Sequence, residues 1–233
     1  MLIVLPPSET KAPGGSGPAL DLEGLSFPAL GPVRDSLIDA LSTLPVDEAL
    51  PVLKISEKLR PEAEANRELR TAPTMPALYR YTGVLFDALS APTLPAHAWE
   101  RLAVGSALFG VVRAGDLIPR YRLSGGTRLP GAPTLKKMWG GLITEALAAE
   151  DFVVDLRSGT YQQLGTVPGA VTVRVEKDGK VVSHFNKHYK GELARVLASA
   201  PSEAASVEDV MAVARDAGMD ISPTSARELT LAV

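Results

Sequence analysis

The chain has 233 residues, 45% hydrophobic and 22% charged, a formal net charge of −3 and no cysteine. This composition predicts one soluble globular domain over residues 1–233 and excludes a disordered or fibrous chain; the missing thiols exclude disulfides, thiolate nucleophiles, iron–sulfur ligation and Cys-zinc sites. The net charge also excludes a protein that coats nucleic acid through its average field, but six basic residues against the single acid Asp116 between positions 113 and 137 concentrate positive charge in one segment.

Leu2 to Leu5 form an apolar run closed by Pro6-Pro7. The run predicts a strand buried on both faces, and it is far short of the ~20 residues of a membrane helix, so cytoplasmic residence without a membrane partner is expected. The loop that follows, SETKAPGGSGPAL, carries Lys11 at the carboxyl end of that strand, a frequent ligand position in α/β sheets. A helical sub-region at about 32–90 is broken by Pro45, Pro51, Pro61, Pro73 and Pro76; within it ISEKLRPEAEANREL holds Lys58, either solvated or a ligand.

RLAVGSALFGVV is apolar, and periodicity leaves helix and strand both open. After a loop containing Arg113, Asp116 and Arg122, TLKKMWGGLITEALAAE predicts one amphipathic helix capped by Thr134, with Gly140-Gly141 in its interior. DFVVDL predicts a strand leading into RSGTYQQL, which contains Ser158 and Tyr161. AVTVRVEKDGKVVSHF predicts a β-hairpin turning at Asp178-Gly179, followed by a helix from Asn186, a helix over VEDVMAVARDAG closed by Gly218, and a last strand at RELTLAV.

The spacings of serine hydrolases, P-loop enzymes and dinucleotide-binding turns are absent. His184 and His188 are four apart but fall on different predicted elements, which removes the shared face of a zinc motif, and no metal site is expected. Asp87, Asp116 and Asp155 read as capping or salt-bridging acids. More informative are two helix starts with the wrong charge: Lys136 and Lys137 in one, Lys187, His188 and Lys190 in the other. A helix N-terminus carries about half a positive charge, so each cation there costs roughly 0.3–1 kcal/mol. The arrangement becomes favourable once a phosphate or carboxylate arrives; the alternative is a helix that begins later, near Glu192.

Taken in order, MLIVLPPSETK, ISEKL, YTGVLFDAL, SALFGVVRAGDLIPRYRL, MWGGLIT, DLRSGTYQQL and HFNKHYKG resemble the YaaA family of bacterial peroxide-stress proteins over nearly the whole chain. The resemblance implies a compact α/β (mixed α+β) fold, with a mixed central sheet flanked by helices and a positively charged cleft. It also implies DNA binding and a role in limiting oxidative damage and free iron. It covers Lys11, Lys58, Arg113, Asp116, Tyr121, Arg122, Trp139, Ser158, Tyr161, Lys187 and Lys190; Val84 stands where an acid is common in the family.

The expected function is therefore DNA binding by phosphate-backbone contacts from Lys11, Lys58, Arg113, Arg122, Lys187 and Lys190, without a cofactor. Four neutralised phosphates would give a slope of log affinity against log salt near −3.6. The alternative is an enzyme acting on a nucleotide or other phosphorylated small molecule in the same cleft, with Asp116, Ser158 and Tyr161 as acid–base candidates.

Overall fold

Leu2, Ile3, Val4 and Leu5 present apolar side chains to both faces of their strand, and all are fully buried, as a central strand covered on both sides requires. The computed structural model describes residues 1–181 and 186–233. Its strands are β1 (Leu2–Leu5), β2 (Met75–Pro76), β3 (Leu102–Ser106), β4 (Gly110–Arg113), β5 (Leu117–Ile118), β6 (Val153–Asp155), β7 (Val171–Lys177), β8 (Lys180–Val181), β9 (Asp220–Pro223) and β10 (Glu228–Ala232). The main sheet runs β4-β3-β1-β6-β7-β10-β9, with β8 attached to β7, while β2 and β5 pair separately. The inner strands β3, β1, β6, β7 and β10 are parallel; β4, β8 and β9 join antiparallel.

Helices α1 (Gly31–Thr43), α2 (Val46–Leu53), α3 (Arg60–Ala65), α4 (Ala77–Arg80), α5 (Val84–Leu89) and α6 (Ala96–Glu100) fill the stretch between β1 and β3. They are followed by α7 (Leu135–Trp139), α8 (Leu142–Ala148), α9 (Gly159–Gln162), α10 (Asn186–Ser199) and α11 (Val207–Asp216). This is the mixed α/β architecture, a mixed sheet flanked by helices, that the sequence led us to expect.

The undecided apolar run is the hairpin β3–β4, its residues buried on both faces and therefore without a period to read. The helix expected from Thr134 through Leu147 is two helices. Thr134 caps α7, its Oγ1 accepting from Lys137 N at 3.3 Å, but Gly140 takes φ 52° and ends the helix before α8 begins. A left-handed backbone is open to glycine at little cost and cannot continue an α-helix. The β7–β8 turn has Asp178 at φ 50° and Gly179 at φ 71°, the two positive values of a tight hairpin. Residues 182–185 of the expected hairpin, His184 among them, lie outside the described residues.

α10 begins at Asn186, so Lys187, His188 and Lys190 fall within its first five residues and the later start near Glu192 is not what the chain adopts. Leu193 and Leu197 are buried, and Gly191 lets the helix press on α5: a Cβ there would stand 2.3 Å from Leu85 O. Strand register sets where the chain leaves the sheet. Val4 pairs with Asp155, and Asp155 with Thr172, so β1 and β6 stop level with the first half of β7, which runs on beyond them.

Candidate functional site

Pro6 and Pro7 close β1, lacking the N–H groups that would extend its ladder, and the chain leaves the sheet there beside Leu156, where β6 ends. The space above these strand ends is a cavity of about 790 Å³. Its walls are the loop after β1, the Ser124–Gly126 turn, the segment from Leu156 into α9, the projecting face of β7 and the first turn of α10. Ligands of open α/β sheets occupy this position, outside the carboxyl ends of parallel strands.

Asp155 and Arg157 hold the floor. Arg157 Nε and Nη2 each donate to the Asp155 carboxylate at 2.9 Å, and Nη2 and Nη1 also donate to Gly165 O and Tyr161 O at 2.8 and 3.3 Å. Both side chains are buried, so the pair meets the conditions under which desolvated charges persist: bidentate geometry and further hydrogen bonds. Gly105 on β3 makes room for this guanidinium arm, since a Cβ would lie 2.7 Å from Arg157 Cδ. The hydroxyl of Tyr161 accepts from Gly125 N at 3.2 Å and joins α9 to the Ser124–Gly126 turn. Burial, with Glu9 nearby, raises the Tyr161 pKa above the usual phenol range, which keeps it protonated. Ser158 is exposed on the cavity wall at the start of α9, and its hydroxyl makes no capping bond.

Lys187 and Lys190 stand one turn apart on α10 and both line the cavity. Lys190 Nζ donates to Leu156 O at 3.2 Å; burial lowers its pKa, with Asp155 opposing the shift. Lys187 is exposed and also lines a smaller adjoining chamber of about 240 Å³. The cavity wall carries Lys187, Lys190, Arg157 and Arg174 against Glu9 and Glu228.

Two further predicted cations lie behind this wall. Arg122 is tied to Glu9, Nη2 to Oε2 at 3.0 Å and Nη1 to the carbonyl at 3.2 Å, with Glu62 Oε2 at 3.9 Å. Lys11 is buried: its Nζ donates to Ser8 O at 3.0 Å and faces the Tyr121 ring at 4.2 Å from the centroid. Burial lowers its pKa to about 7, Glu9 acting to raise it and Arg122 to lower it. Tyr121 continues inward, sharing hydrogen bonds of 2.8 Å with both the Tyr81 and the Ser106 hydroxyls.

The remaining candidates are elsewhere. Arg113 pairs with Ala103 near the start of β3, at the opposite end of the sheet; its guanidinium is engaged by Glu150 and Glu100 O. Asp116 is a turn acid that accepts from Ser26 Oγ at 2.8 Å and Arg113 N at 2.9 Å, so its carboxylate is already occupied. Lys58 is exposed in a short 3₁₀ turn, Glu57–Leu59, and does not contribute to the cavity wall. Lys136 and Lys137 are likewise exposed on α7, away from it.

Sequence reasoning missed Glu9, Arg157, Arg174 and Glu228 as wall residues. The signal for Arg157 was present: Asp155 and Arg157 are two apart at a strand end, the spacing that puts side chains on one face. As a cation at a strand end and not at a helix start, Arg157 creates no charge anomaly that would mark it.

Residues 1–223 match the family model described as peroxide stress protein YaaA. The chain belongs to this family. A UPF0246 protein of Corynebacterium efficiens is 66% identical over 241 residues, covering 99% of this chain and 98% of that one. A UPF0246 protein of Corynebacterium glutamicum is 62% identical with full coverage of both, and one of Streptomyces coelicolor is 40% identical across 95% of this chain and 92% of its own. The match supports a peroxide-stress role for this YaaA-family protein. Among the described residues no group of three or more His, Asp or Glu side chains is placed to hold a metal ion, and no described helix is long and apolar enough to cross a membrane.

Proposed function

We propose that this YaaA-family protein serves the peroxide-stress response, limiting oxidative damage and free iron, by binding DNA through backbone phosphates at the mouth of the cavity above β1 and β6. The observation that carries this reading is the placement of Lys187 and Lys190 one turn apart within the first five residues of α10, both on the cavity wall. A 14-residue helix directs its N-terminal partial charge toward the same space as these two lysines, while Arg157 and Arg174 on the same wall are already paired with Asp155 and Glu176. Contacts of this kind position a duplex without reading its bases.

The contact set is smaller than the sequence implied. With Lys11 buried, Lys58 and Arg113 away from the cavity and Arg122 held by Glu9, two phosphate contacts remain, from Lys187 and Lys190. Fluorescence anisotropy with a labelled duplex tests the assignment. Lys187→Glu weakens binding roughly ten-fold or more, while Arg113→Gln at the far end of the sheet stays within about two-fold. Equal losses in the two variants contradict it.

A second reading is favoured by the cavity itself. Its volume of about 790 Å³ lies within the ~300–1,000 Å³ of small-molecule sites, which suits an enzyme acting on a nucleotide or other phosphorylated compound. Ser158 and Tyr161 would then supply hydroxyl groups on the wall; Asp116 is no longer a candidate, because its carboxylate is bound in a turn elsewhere.

A further inference from the structure

The smaller chamber, about 240 Å³, is not separate from the larger one: Pro6, Pro7, Glu9 and Lys187 line both. Its volume falls below the ~300–1,000 Å³ of complete small-molecule sites, so alone it accommodates a fragment. The chemistry of the two compartments differs. The large one has the α10 lysines and the polar Ser158–Gln162 segment. The small one is bounded by the rings of Pro6 and Pro7 with Val84 and Phe86, and by a short string of hydroxyls in which Thr82 Oγ1 donates to Thr10 Oγ1 at 3.1 Å and Thr82 N to Ser8 Oγ at 3.1 Å. Apolar walls with a few hydroxyls suit a flat heterocycle: Ser8 and Thr82 give their protons to Thr10 O and Oγ1, which leaves the Thr10 hydroxyl as a donor and the Ser8 and Thr82 oxygens as acceptors for the mixed edge of a nucleobase. Lys187 stands at the junction, where the anionic part of such a ligand would pass from one compartment to the other.

We propose that the two connected compartments form a subsite for a single unpaired nucleotide, its base between Pro6-Pro7 and Val84 in the small chamber and its phosphate in the large one against Lys187 and Lys190. This rests on the phosphate-binding reading above and names what the cavity adds to it. The same chemistry has two sources, a nucleotide unstacked from DNA or a free nucleoside monophosphate. Unstacking costs a few kcal/mol, and least where the base has no pairing partner, so DNA with an unpaired position is the favoured polymer form. Glu9, held by Arg122, is placed to accept a hydrogen bond from the sugar or base edge at the junction.

The test compares three probes with the full chain: a paired duplex, the same duplex carrying one unpaired nucleotide, and a deoxynucleoside 5′-monophosphate. The subsite predicts roughly ten-fold tighter binding of the duplex with the unpaired nucleotide, competition against it by the monophosphate, and collapse of the preference toward unity in Val84→Trp, which fills the small chamber. If the monophosphate raises the melting temperature and neither duplex binds, the subsite stands with a free nucleotide as its ligand and the DNA reading falls. If both duplexes bind equally and the monophosphate neither competes nor stabilises, the subsite is overturned and the DNA reading survives. Absence of binding by all three probes overturns both.

Discussion

The Lys11 ammonium lies 4.2 Å from the centroid of the Tyr121 ring and is covered by it, so the amine that sequence placed in a loop beside a ligand instead supports the cavity from behind. It holds Ser8 O in place, and Arg122 holds Glu9 beside it. The loop after β1 therefore has its shape fixed by the buried Lys11 amine and the partly buried Arg122 guanidinium.

Stability should reflect this in a defined pH window. Lys11 binds its proton less readily folded, near pH 7, than unfolded, near 10.5, so between those values the unfolded chain holds more protons and stability rises with pH. The cost is fully present below pH 7 and disappears above 10.5; Lys190, also lowered by burial, adds with the same sign. Between pH 7 and 9 the gain is about 2 kcal/mol, in a range below the phenol titrations. Thermal melting at the two pH values checks it, and Lys11→Met reduces the increment.

Asp155→Ala leaves the buried Arg157 guanidinium without its bidentate partner and lowers unfolding free energy by about 3–5 kcal/mol. The double variant Asp155→Ala with Arg157→Met recovers part of that loss, because no isolated charge remains buried. Urea denaturation of the four proteins in the cycle measures the coupling.

Gly191→Ala separates packing from propensity. In an isolated helix alanine gains about 1 kcal/mol over glycine, yet here the added Cβ meets Leu85 O at 2.3 Å and forces α10 away from α5. Net destabilisation of about 1–3 kcal/mol is expected from denaturant midpoints. A gain in stability would mean that the two helices do not pack this closely in solution.

Much of the fold was readable because its signals are local: the apolar run of β1, the Asp178-Gly179 turn, the Thr134 cap and the α10 start each depend on a few adjacent residues. The break at Gly140 was not, since two adjacent glycines fit either a strained helix or a left-handed stop and only φ distinguishes them. The site was legible in part. The α10 lysines are wall residues as their helix position suggested, and Ser158 and Tyr161 line the same cavity. Arg113 and Lys11 were not separable from them by sequence, because charge counting carries no information on depth or on which end of a strand a residue occupies. Arg34 and Arg80 illustrate the limit. Both are fully buried and spend their donors on backbone carbonyls, Phe109 and Val111 for one, Ala12 and Gly14 for the other, which composition registers only as positive charge.

The most direct test of the central claim is the salt dependence of duplex binding. Two phosphate contacts, from Lys187 and Lys190, predict a slope of log affinity against log salt near −1.8, falling to about −0.9 in Lys187→Gln. A flat response in the wild type, or a slope that Lys187→Gln leaves unchanged, contradicts the account.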